Sequence, residues 1–165
     1  MTDDFNKTLE NKPNSESRQF LTFSVNNEEY GVDIMSVREI KGWTETTRLP
    51  NSPEHMRGVM NLRGLIIPIF DLRARFSGVL TKASDKNVII ILAIANRNIG
   101  VLVDSVSDIL TISQSEVKPA PEGESNIKDE YISGLISTNN RMVVLLCIHK
   151  LFGNEKVVKE AEGAI

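Results

Sequence analysis

Residues 48–76 read RLPNSPEHMRGVMNLRGLIIPIFDLRARF. This stretch decides the fold because it combines a Pro/Asn/Ser turn, a Gly-bounded strand, a tight Arg63-Gly64 turn, an apolar strand and a short helix capped by Asp71. It holds no nucleophile–base pair, no metal-ligand spacing and no phosphate loop. The stretch therefore predicts a β scaffold that binds other proteins, and it nominates no active site.

The whole chain has the size of one domain or of two small lobes that share a core. Its 165 residues, 41% of them hydrophobic and 25% charged, are enough to bury a stable core without disulfides or structural metals. The net charge of −3 argues against nucleic-acid binding, and the single cysteine, Cys147, excludes an internal disulfide. Residues 1–12 lack the apolar segment of a signal peptide, and the longest apolar run, residues 88–95, is far too short to span a bilayer. We therefore expect a cytoplasmic protein that does not insert into a membrane.

Short β-rich runs around polar turns predict hairpins. The predicted turns are Asn26-Asn27, residues 96–98, Asn139-Asn140 and Arg63-Gly64. Asparagine tolerates the positive φ that tight hairpin turns demand. Residues 1–18 are polar and predict a disordered tail, residues 19–153 form the folded domain, and residues 154–165 predict a C-terminal helix or tail.

An internal repeat relates the two halves of the chain. Residues 30–40, YGVDIMSVREI, align with residues 99–109, IGVLVDSVSDI, so that the glycine, the following valine, the Ser-Val pair, the acid and the final isoleucine coincide. Residues 58–73 and 134–152 then share the order glycine, strand, turn, apolar strand and short Leu-containing helix. The repeat predicts two similar β lobes of about five strands each, as barrels or a sandwich.

Helix is a minor component of the prediction. We expect one turn near residues 33–35 followed by an extended segment, a short helix over residues 72–76, and one turn at Ser113 to Glu116. Residues 118–130, which contain two prolines and a glycine, predict a surface loop.

Candidate chemical groups are few. Cys147 and His149 would share a strand face, but two ligands without a third or fourth favour a buried thiol and a surface imidazole over a metal site. The arginines of residues 57–75 form a basic segment, yet an aromatic content of 5% gives no stacking platform for oligonucleotides, so this segment predicts a solvated rim. An enzyme with a site assembled from distant residues is the rival class, and no residue nominates such a site.

Two charged residues, Glu39 and Arg63, are singled out by their positions. Arg63 lies on a tight turn and Glu39 on a β-rich segment, and a guanidinium can bind a carboxylate bidentately to hold two loops in register. Two separate exposed charges are the alternative, which composition alone favours. The apolar candidates for lining a groove between the lobes are Val37, Ile40, Val59, Val103, Val106 and Ile109. These mark a partner site only if some of them remain exposed.

Three segments together resemble the CheW-like domain family of bacterial chemotaxis coupling proteins. They are residues 29–42, EYGVDIMSVREIKG, residues 48–73, RLPNSPEHMRGVMNLRGLIIPIFDLR, and residues 99–110, IGVLVDSVSDIL. The resemblance runs in order from residue 20 to residue 152, and the NLRG turn followed by PIFDLR is its most specific part. It implies a mostly β fold, in which two five-stranded SH3-like β-barrel subdomains with short helices pack around a shared hydrophobic core.

The resemblance also implies a function. Members of this family are adaptors without catalytic activity or cofactor that couple methyl-accepting chemoreceptors to the histidine kinase CheA. The implied partners are the regulatory domain of CheA, the cytoplasmic tips of the receptors and further CheW-like copies, in arrays at the membrane where kinase and coupler alternate in rings. The alternative is an adaptor of the same fold in another chemosensory system, for example pilus motility.

The resemblance places individual residues as well. Four positions match the receptor-binding groove between the lobes: Val37, Glu39, Arg63 and Val106. Four others match the kinase or ring interface: Arg48, Leu49, Gly64 and Gly134. The loop 118–130 and both tails depart from the family pattern, so no role is carried onto them.

Overall fold

The computed structural model describes residues 17–120 and 129–153, and this part of the chain is mostly β. Its strands are β1 (Ser17–Val25), β2 (Glu28–Asp33), β3 (Val37–Gly42), β4 (Met56–Leu62), β5 (Leu65–Asp71), β6 (Val88–Ile94), β7 (Arg97–Val103), β8 (Ser105–Ser113), β9 (Ile132–Thr138) and β10 (Arg141–Leu146). Its short helices are α1 (Leu72–Ser77) and α2 (Ile148–Phe152), and 3₁₀ turns cover Ile34–Ser36, Gln114–Glu116 and Asp129–Tyr131.

The tight turns follow from residues that accept positive φ. Asn26 and Asn27 have φ of 56° and 64°, and Asn139 and Asn140 have φ of 49° and 63°, so both predicted Asn-Asn hairpins are confirmed. The Arg63-Gly64 turn is also confirmed. The predicted hairpin between residues 88–95 and 99–103 is present, but its turn lies at Ala95-Asn96 and not at residues 96–98, because Ile94 pairs with Arg97 and the positive φ of 53° belongs to Ala95.

The strands form two five-stranded sheets with the same internal plan. The first sheet has the order β8-β1-β2-β10-β9, and the second has the order β3-β6-β7-β5-β4. Replacing each strand by its counterpart in the sequence repeat, β1 by β6 and so on through β5 by β10, converts one order into the other. The lobes nevertheless do not coincide with the two halves of the chain. Each half gives its first two strands to one sheet and its last three to the other.

The repeated glycine is explained by the one parallel pairing in each sheet. Gly31 on β2 lies opposite Leu145 on β10, and Gly100 on β7 lies opposite Ile69 on β5. A Cβ on Gly100 would stand 2.4 Å from Cδ1 of Ile69, and one on Gly31 would stand 3.0 Å from Cδ2 of Leu145. A larger residue would therefore collide with the large apolar side chain across each pairing.

Side-chain alternation divides the buried residues into three clusters. The first sheet encloses Phe20, Ile112, Ile136, Val143 and Leu145, and the second encloses Leu62, Ile67, Ile69, Ile89, Ile91 and Leu102. The larger shared core between the sheets includes Leu21, Phe23, Phe70, Ile90, Leu92 and Phe152. Because successive residues of β6 serve two different clusters, both faces of this strand are buried and its sequence is continuously apolar.

Each sheet is curled so that its outer strands approach each other. An isolated bridge joins Thr47, beyond the end of β3, to Val59 on β4. Another joins Lys118, beyond the end of β8, to Leu135 on β9. β3 and β4 are the two edge strands of the second sheet, and β8 and β9 are the two edge strands of the first. Because each bridge joins opposite edges, it gives its sheet the curvature that an SH3-like barrel requires. The predicted mostly β class with two five-stranded subdomains around a shared core is confirmed.

A few predicted boundaries differ. β1 begins at Ser17, so residues 17 and 18, assigned above to the tail, belong to the first sheet. The predicted helices at residues 72–76 and near residues 33–35 and 113–116 are present. The rest of the N-terminal tail, part of the 118–130 loop and the C-terminal segment 154–165 lie outside the described residues.

Helix α1 is held by a buried carboxylate. The Asp71 side chain accepts hydrogen bonds from the backbone nitrogens of Ala74 at 3.2 Å and Thr81 at 2.8 Å, and from the Thr81 hydroxyl at 2.9 Å. Arg57 completes the site with an ion pair at 3.3 Å. Asp71 is fully buried, which is tolerable because its oxygens are satisfied by these donors. The network fixes the start of α1 against the connection that leads to β6.

Candidate partner-binding surface

Strand β3 presents an apolar edge beside the shared core. Val37 lies opposite Leu92 and Ile40 lies opposite Ile90, so both point toward the side of the sheet that faces the core. A register shift between Val37 and Glu39 puts three residues of β3 opposite two of β6, which is why residues three apart share a face. Val37 packs partly buried against the core, whereas 47% of Ile40 is exposed.

Strand β8 repeats this arrangement in the first sheet. Val106 lies opposite Phe23 and Ile109 lies opposite Leu21, again with a register shift between them. Val106 packs partly buried against the shared core, and 53% of Ile109 is exposed. We call Val37, Ile40, Val106 and Ile109 the apolar groove residues. The condition for a partner site is met, because two of these four large side chains remain exposed.

The groove candidates differ in exposure. Val59 packs partly buried against the same core, while Val103 is fully buried. Val103 is therefore a core residue and not a lining residue, and its prediction as a lining residue is wrong.

Glu39 and Arg63 form an ion pair in the second sheet. Nη1 of Arg63 donates to Oε1 of Glu39 at 3.4 Å and Nη2 donates to Oε2, so the guanidinium binds the carboxylate with two nitrogens. The hydrogen bond from Arg63 lowers the pKa of Glu39, and the hydrogen bond to Glu39 raises the pKa of Arg63. The predicted pairing is confirmed, and the alternative of two separate charges is wrong.

This pair links opposite edges of its sheet. Glu39 belongs to the outer strand β3, and Arg63 belongs to the turn between β4 and β5 at the other edge. We call the pair the Glu39–Arg63 clasp. About three quarters of the Arg63 side chain is exposed, so the outer face of the clasp is open to a partner.

The hairpin beyond the clasp carries exposed apolar residues that the sequence analysis did not single out. The nitrogen of Gly64 donates to Oδ1 of Asn61 at 2.8 Å, which fixes the turn. Leu65 and Ile66 follow it and are 58% and 64% exposed. They are exposed because β5 pairs with β7 only from Ile69 onward, so the hairpin tip projects beyond the sheet. The apolar run of β5 in the sequence gives no signal that its first residues lie outside the core.

The residues predicted for the kinase or ring interface do not share one environment. Arg48 and Gly64 are exposed. Leu49 is half-buried against the shared core, and its carbonyl oxygen accepts a hydrogen bond from the Ser52 hydroxyl at 2.8 Å. Gly134 is buried, and a Cβ there would lie 2.4 Å from Cγ1 of Val117. Its position argues for a packing role under the segment of Val117 and Lys118, which bridges to β9.

The basic segment is not the solvated rim that its composition predicts. Each arginine has its own partner: Arg57 binds Asp71, Arg63 binds Glu39, Arg73 binds Asp104, and Arg75 donates to the Tyr131 hydroxyl at 2.7 Å. These arginines point to separate carboxylates and a phenol around the fold. Because three of the four are paired with carboxylates, they do not form one basic surface of the kind that a nucleic acid needs.

No metal centre is found within residues 17–120 and 129–153, where three or more potential ligands never gather. Cys147 and His149 do not share a strand face as predicted, because β10 ends at Leu146, Cys147 precedes α2 and His149 lies in that helix. Among the described residues, no helix has both the length and the hydrophobicity that a bilayer-spanning segment needs.

A second charged cluster was missed by the sequence analysis. Arg141 donates to Oε2 of Glu29 at 3.0 Å through Nε, and to Oδ1 of Asp108 at 3.2 Å through Nη2. These contacts raise the pKa of Arg141, the bond to Glu29 contributing most, and the bond from Arg141 lowers the pKa of Asp108. The repeat contained a signal for this cluster, because it aligns Asp108 with Glu39. The repeat did not indicate which residue binds Asp108, because Asn139 stands at the position that aligns with Arg63.

Comparisons with known proteins agree on one family. The family model described as the CheW-like domain matches residues 19–156. The chain is 41% identical over 140 residues to the chemotaxis protein CheW of Klebsiella aerogenes, covering 85% of this chain and 84% of the relative. It is 31% identical over 137 residues to the chemotaxis protein CheW of Bacillus subtilis, covering 83% of this chain and 88% of the relative. The crystal structure of the scaffolding protein TtCheW from Thermoanaerobacter tengcongensis superposes with a TM-score of 0.76 at 32% identity, covering 85% of this chain and 92% of that one.

Proposed function

The chain belongs to the CheW-like domain family, and we propose from this premise that it is a chemotaxis adaptor that couples methyl-accepting chemoreceptors to the histidine kinase CheA. The similar proteins are named chemotaxis proteins, and the similar crystal structure is that of a scaffolding protein. These names favour chemotaxis over the alternative of another chemosensory pathway. On this proposal the protein acts by binding and carries out no reaction of its own.

The receptor side of the adaptor is the groove edge formed by β3 and β8. The single observation that carries this assignment is the matched pair of exposed isoleucines, Ile40 and Ile109, each next to a valine that is anchored in the shared core. Receptor tips are helical, and an amphipathic helix binds an apolar groove through residues on one face. Completing the burial of a half-exposed isoleucine contributes about 1 kcal/mol, so two such residues give a weak but specific contact.

The Glu39–Arg63 clasp would hold the β3 side of the groove in place. Its acid lies inside the register shift that sets Val37 and Ile40 on one face of β3. By tying that point to the β4–β5 turn, the clasp holds the apolar edge in one position before the partner arrives. A preorganised surface loses less conformational entropy on binding, which raises its affinity.

The kinase side would use the exposed turn residues. Arg48 and Gly64 are accessible for direct contact, and the half-buried Leu49 would shape that surface from beneath. The buried Gly134 lies in the first sheet and would act only through its packing there. Leu65 and Ile66 extend the same hairpin and add exposed apolar area next to Gly64. We propose that the regulatory domain of CheA, or a further CheW-like copy within a ring, packs against these residues.

The adaptor joins two interfaces that are individually weak. Linking them raises the effective concentration of kinase near receptor, and an array multiplies that gain. Signals pass only if the contacts differ between two receptor states, because a ligand shifts an equilibrium by its differential affinity alone. The place of action would be the cytoplasm, at receptor arrays on the membrane.

Isothermal titration calorimetry tests the proposal. The purified chain is titrated with a receptor cytoplasmic fragment and, separately, with the isolated CheA regulatory domain. Saturable binding to both is expected, together with a ternary complex on gel filtration. Binding to neither partner would end the proposal, and binding to only one would remove the coupling function.

A further inference from the structure

We propose that Asp108 and Arg141 are positioning residues that hold the β8 side of the receptor groove, as Glu39 and Arg63 hold the β3 side. This inference rests on the proposed function. It adds residues to which the resemblance to the family gave no role, and it makes the groove a structure with a clasp on each side.

The first support is the internal symmetry of the fold. The repeat aligns Asp108 with Glu39, and the strand order of one sheet becomes that of the other under the same correspondence. Asp108 lies on β8, an outer strand of the first sheet, as Glu39 lies on β3, an outer strand of the second. Arg141 begins β10 directly after the β9–β10 turn, the counterpart of the turn that carries Arg63. Strands β1 and β2 lie between β8 and β10 in the sheet, yet the side chains of Asp108 and Arg141 are in contact.

The second support is the position of Asp108 within the register shift of β8. β8 advances three residues, from Val106 to Ile109, while β1 advances two, from Phe23 to Leu21. The additional residue places Val106 and Ile109 on the same face. Thr22 ties this bulge to β1, because its hydroxyl lies 2.5 Å from Oδ1 of Asp108 and accepts a hydrogen bond from the Asp108 nitrogen at 3.1 Å.

The third support is the way in which the charges are shared. Nη1 of Arg141 reaches Oδ2 of Asp108 at 3.4 Å and Nη2 reaches Oδ1 at 3.2 Å, while the same guanidinium binds both oxygens of Glu29. Glu29 lies on β2, next to β10, so Arg141 is itself oriented by a neighbour. The guanidinium thus anchors the bulge to the centre of the sheet. If it is removed, the Asp108 carboxylate keeps only its bond to Thr22, and the bulge beside the exposed Ile109 loses its tie across the sheet.

The test compares two affinities in each variant. Arg141→Gln and Asp108→Ala are each expected to weaken binding of a receptor cytoplasmic fragment at least about fivefold, which corresponds to about 1 kcal/mol. Binding of the isolated CheA regulatory domain should stay within about twofold of wild type, because the exposed residues proposed to contact it, Arg48 and Gly64, lie in the β3–β4 and β4–β5 connections of the second sheet. Asp108→Glu keeps a carboxylate and introduces the acid that stands at the equivalent position, Glu39. This variant should retain the receptor affinity that Asp108→Ala loses.

Arg18→Gln is the matched control. It removes one arginine from an ion pair of similar length and exposure, Arg18 with Asp33 at 3.1 Å, but one that joins the neighbouring strands β1 and β2. This variant should keep both affinities. The methyl resonance of Ile109 supplies a second measurement, and it should shift in Arg141→Gln and stay in place in Arg18→Gln.

The outcomes separate this inference from the proposed function. Wild-type binding to both partners with unchanged receptor affinity in Arg141→Gln and Asp108→Ala overturns the inference alone. Equal losses for both partners, with a lowered melting temperature, also overturn it, because a merely structural role predicts that pattern. A wild-type chain that binds neither partner overturns the proposed function and the inference together.

Discussion

The nitrogen of Val59 donates to the carbonyl oxygen of Thr47 at 2.8 Å, and the nitrogen of Thr47 donates to the carbonyl oxygen of Val59 at 2.9 Å. This reciprocal pair joins the segment beyond β3 to the outer strand β4. The close approach is possible because Gly58 precedes Val59. Gly58 has φ of 130°, and a Cβ there would lie 2.3 Å from the Thr47 oxygen. Gly134 is the repeat counterpart and has the same role under Val117 in the first sheet.

Gly58→Ala should therefore destabilise the fold. The positive φ and the collision with the Thr47 backbone together should cost about 3 kcal/mol or more of unfolding free energy. Urea unfolding followed by circular dichroism measures the loss. Gly42→Ala is the control, because no heavy atom lies within 4 Å of a Cβ there. Equal stability of both variants would contradict the closure argument.

Asp71→Asn should be among the most damaging polar substitutions. The amide replaces one acceptor oxygen by a donor that faces the donors of Thr81, and Arg57 loses its carboxylate. Breaking a buried ion pair in this way costs about 3 kcal/mol. Thermal unfolding of Asp71→Asn should be compared with that of Asp85→Asn, which alters an exposed acid of the following loop. A melting temperature equal to that of the control would show that the buried network contributes nothing.

The clasp predicts a rescue experiment. Glu39→Lys should weaken binding of the receptor fragment because two like charges then face each other at the groove edge. The double variant Glu39→Lys/Arg63→Glu should recover part of the affinity. Glu39→Lys/Arg38→Glu has the same net charge but leaves Arg63 facing the new lysine, and it should recover nothing. Equal recovery in both double variants would mean that net charge matters and the clasp does not.

The pKa of Glu39 gives a direct measure of the clasp in the free protein. The pKa is depressed in the folded state, so the stabilising contribution of the ionised carboxylate is present above the ordinary value of 4.5 and is lost as the pH falls through the folded pKa. A carbon-detected NMR titration should find Glu39 titrating below 4.5, and titrating closer to that value in Arg63→Gln. An unchanged titration in the variant would show that Arg63 is not the cause.

The groove residues predict a loss of affinity without a loss of stability. Ile40→Ala and Ile109→Ala should each raise the dissociation constant for the receptor fragment about fivefold, since each removes about 1 kcal/mol of newly buried apolar surface. Melting temperatures should fall little, because about half of each side chain is exposed. Met35→Ala is the control, as Met35 is 79% exposed but lies outside the groove residues. If calorimetry finds the same affinity for all three variants, the receptor docks elsewhere.

The amino-acid sequence by itself determined the local structure. Asn26-Asn27, Asn139-Asn140 and Arg63-Gly64 specify hairpins because positive φ is a property of single residues. Asp71 specifies the start of α1 because a cap acts across three residues. The repeat specified that two lobes of the same kind exist. Each of these signals acts over a few residues, so it can be recognised without knowing the rest of the fold.

Only the tertiary structure decided which strands share a sheet and which residues stay exposed. Each sheet combines strands from both halves of the chain, and Arg141 binds Glu29 from 112 positions away. Ile40 and Ile109 have the same apolar character as the buried Ile90, and nothing in the pattern separates them. The physical reason is that long-range pairing is selected by burial in the shared core, where many weak preferences are satisfied together. Apolar side chains that find no place in that core, such as Ile40 and Ile109, remain exposed.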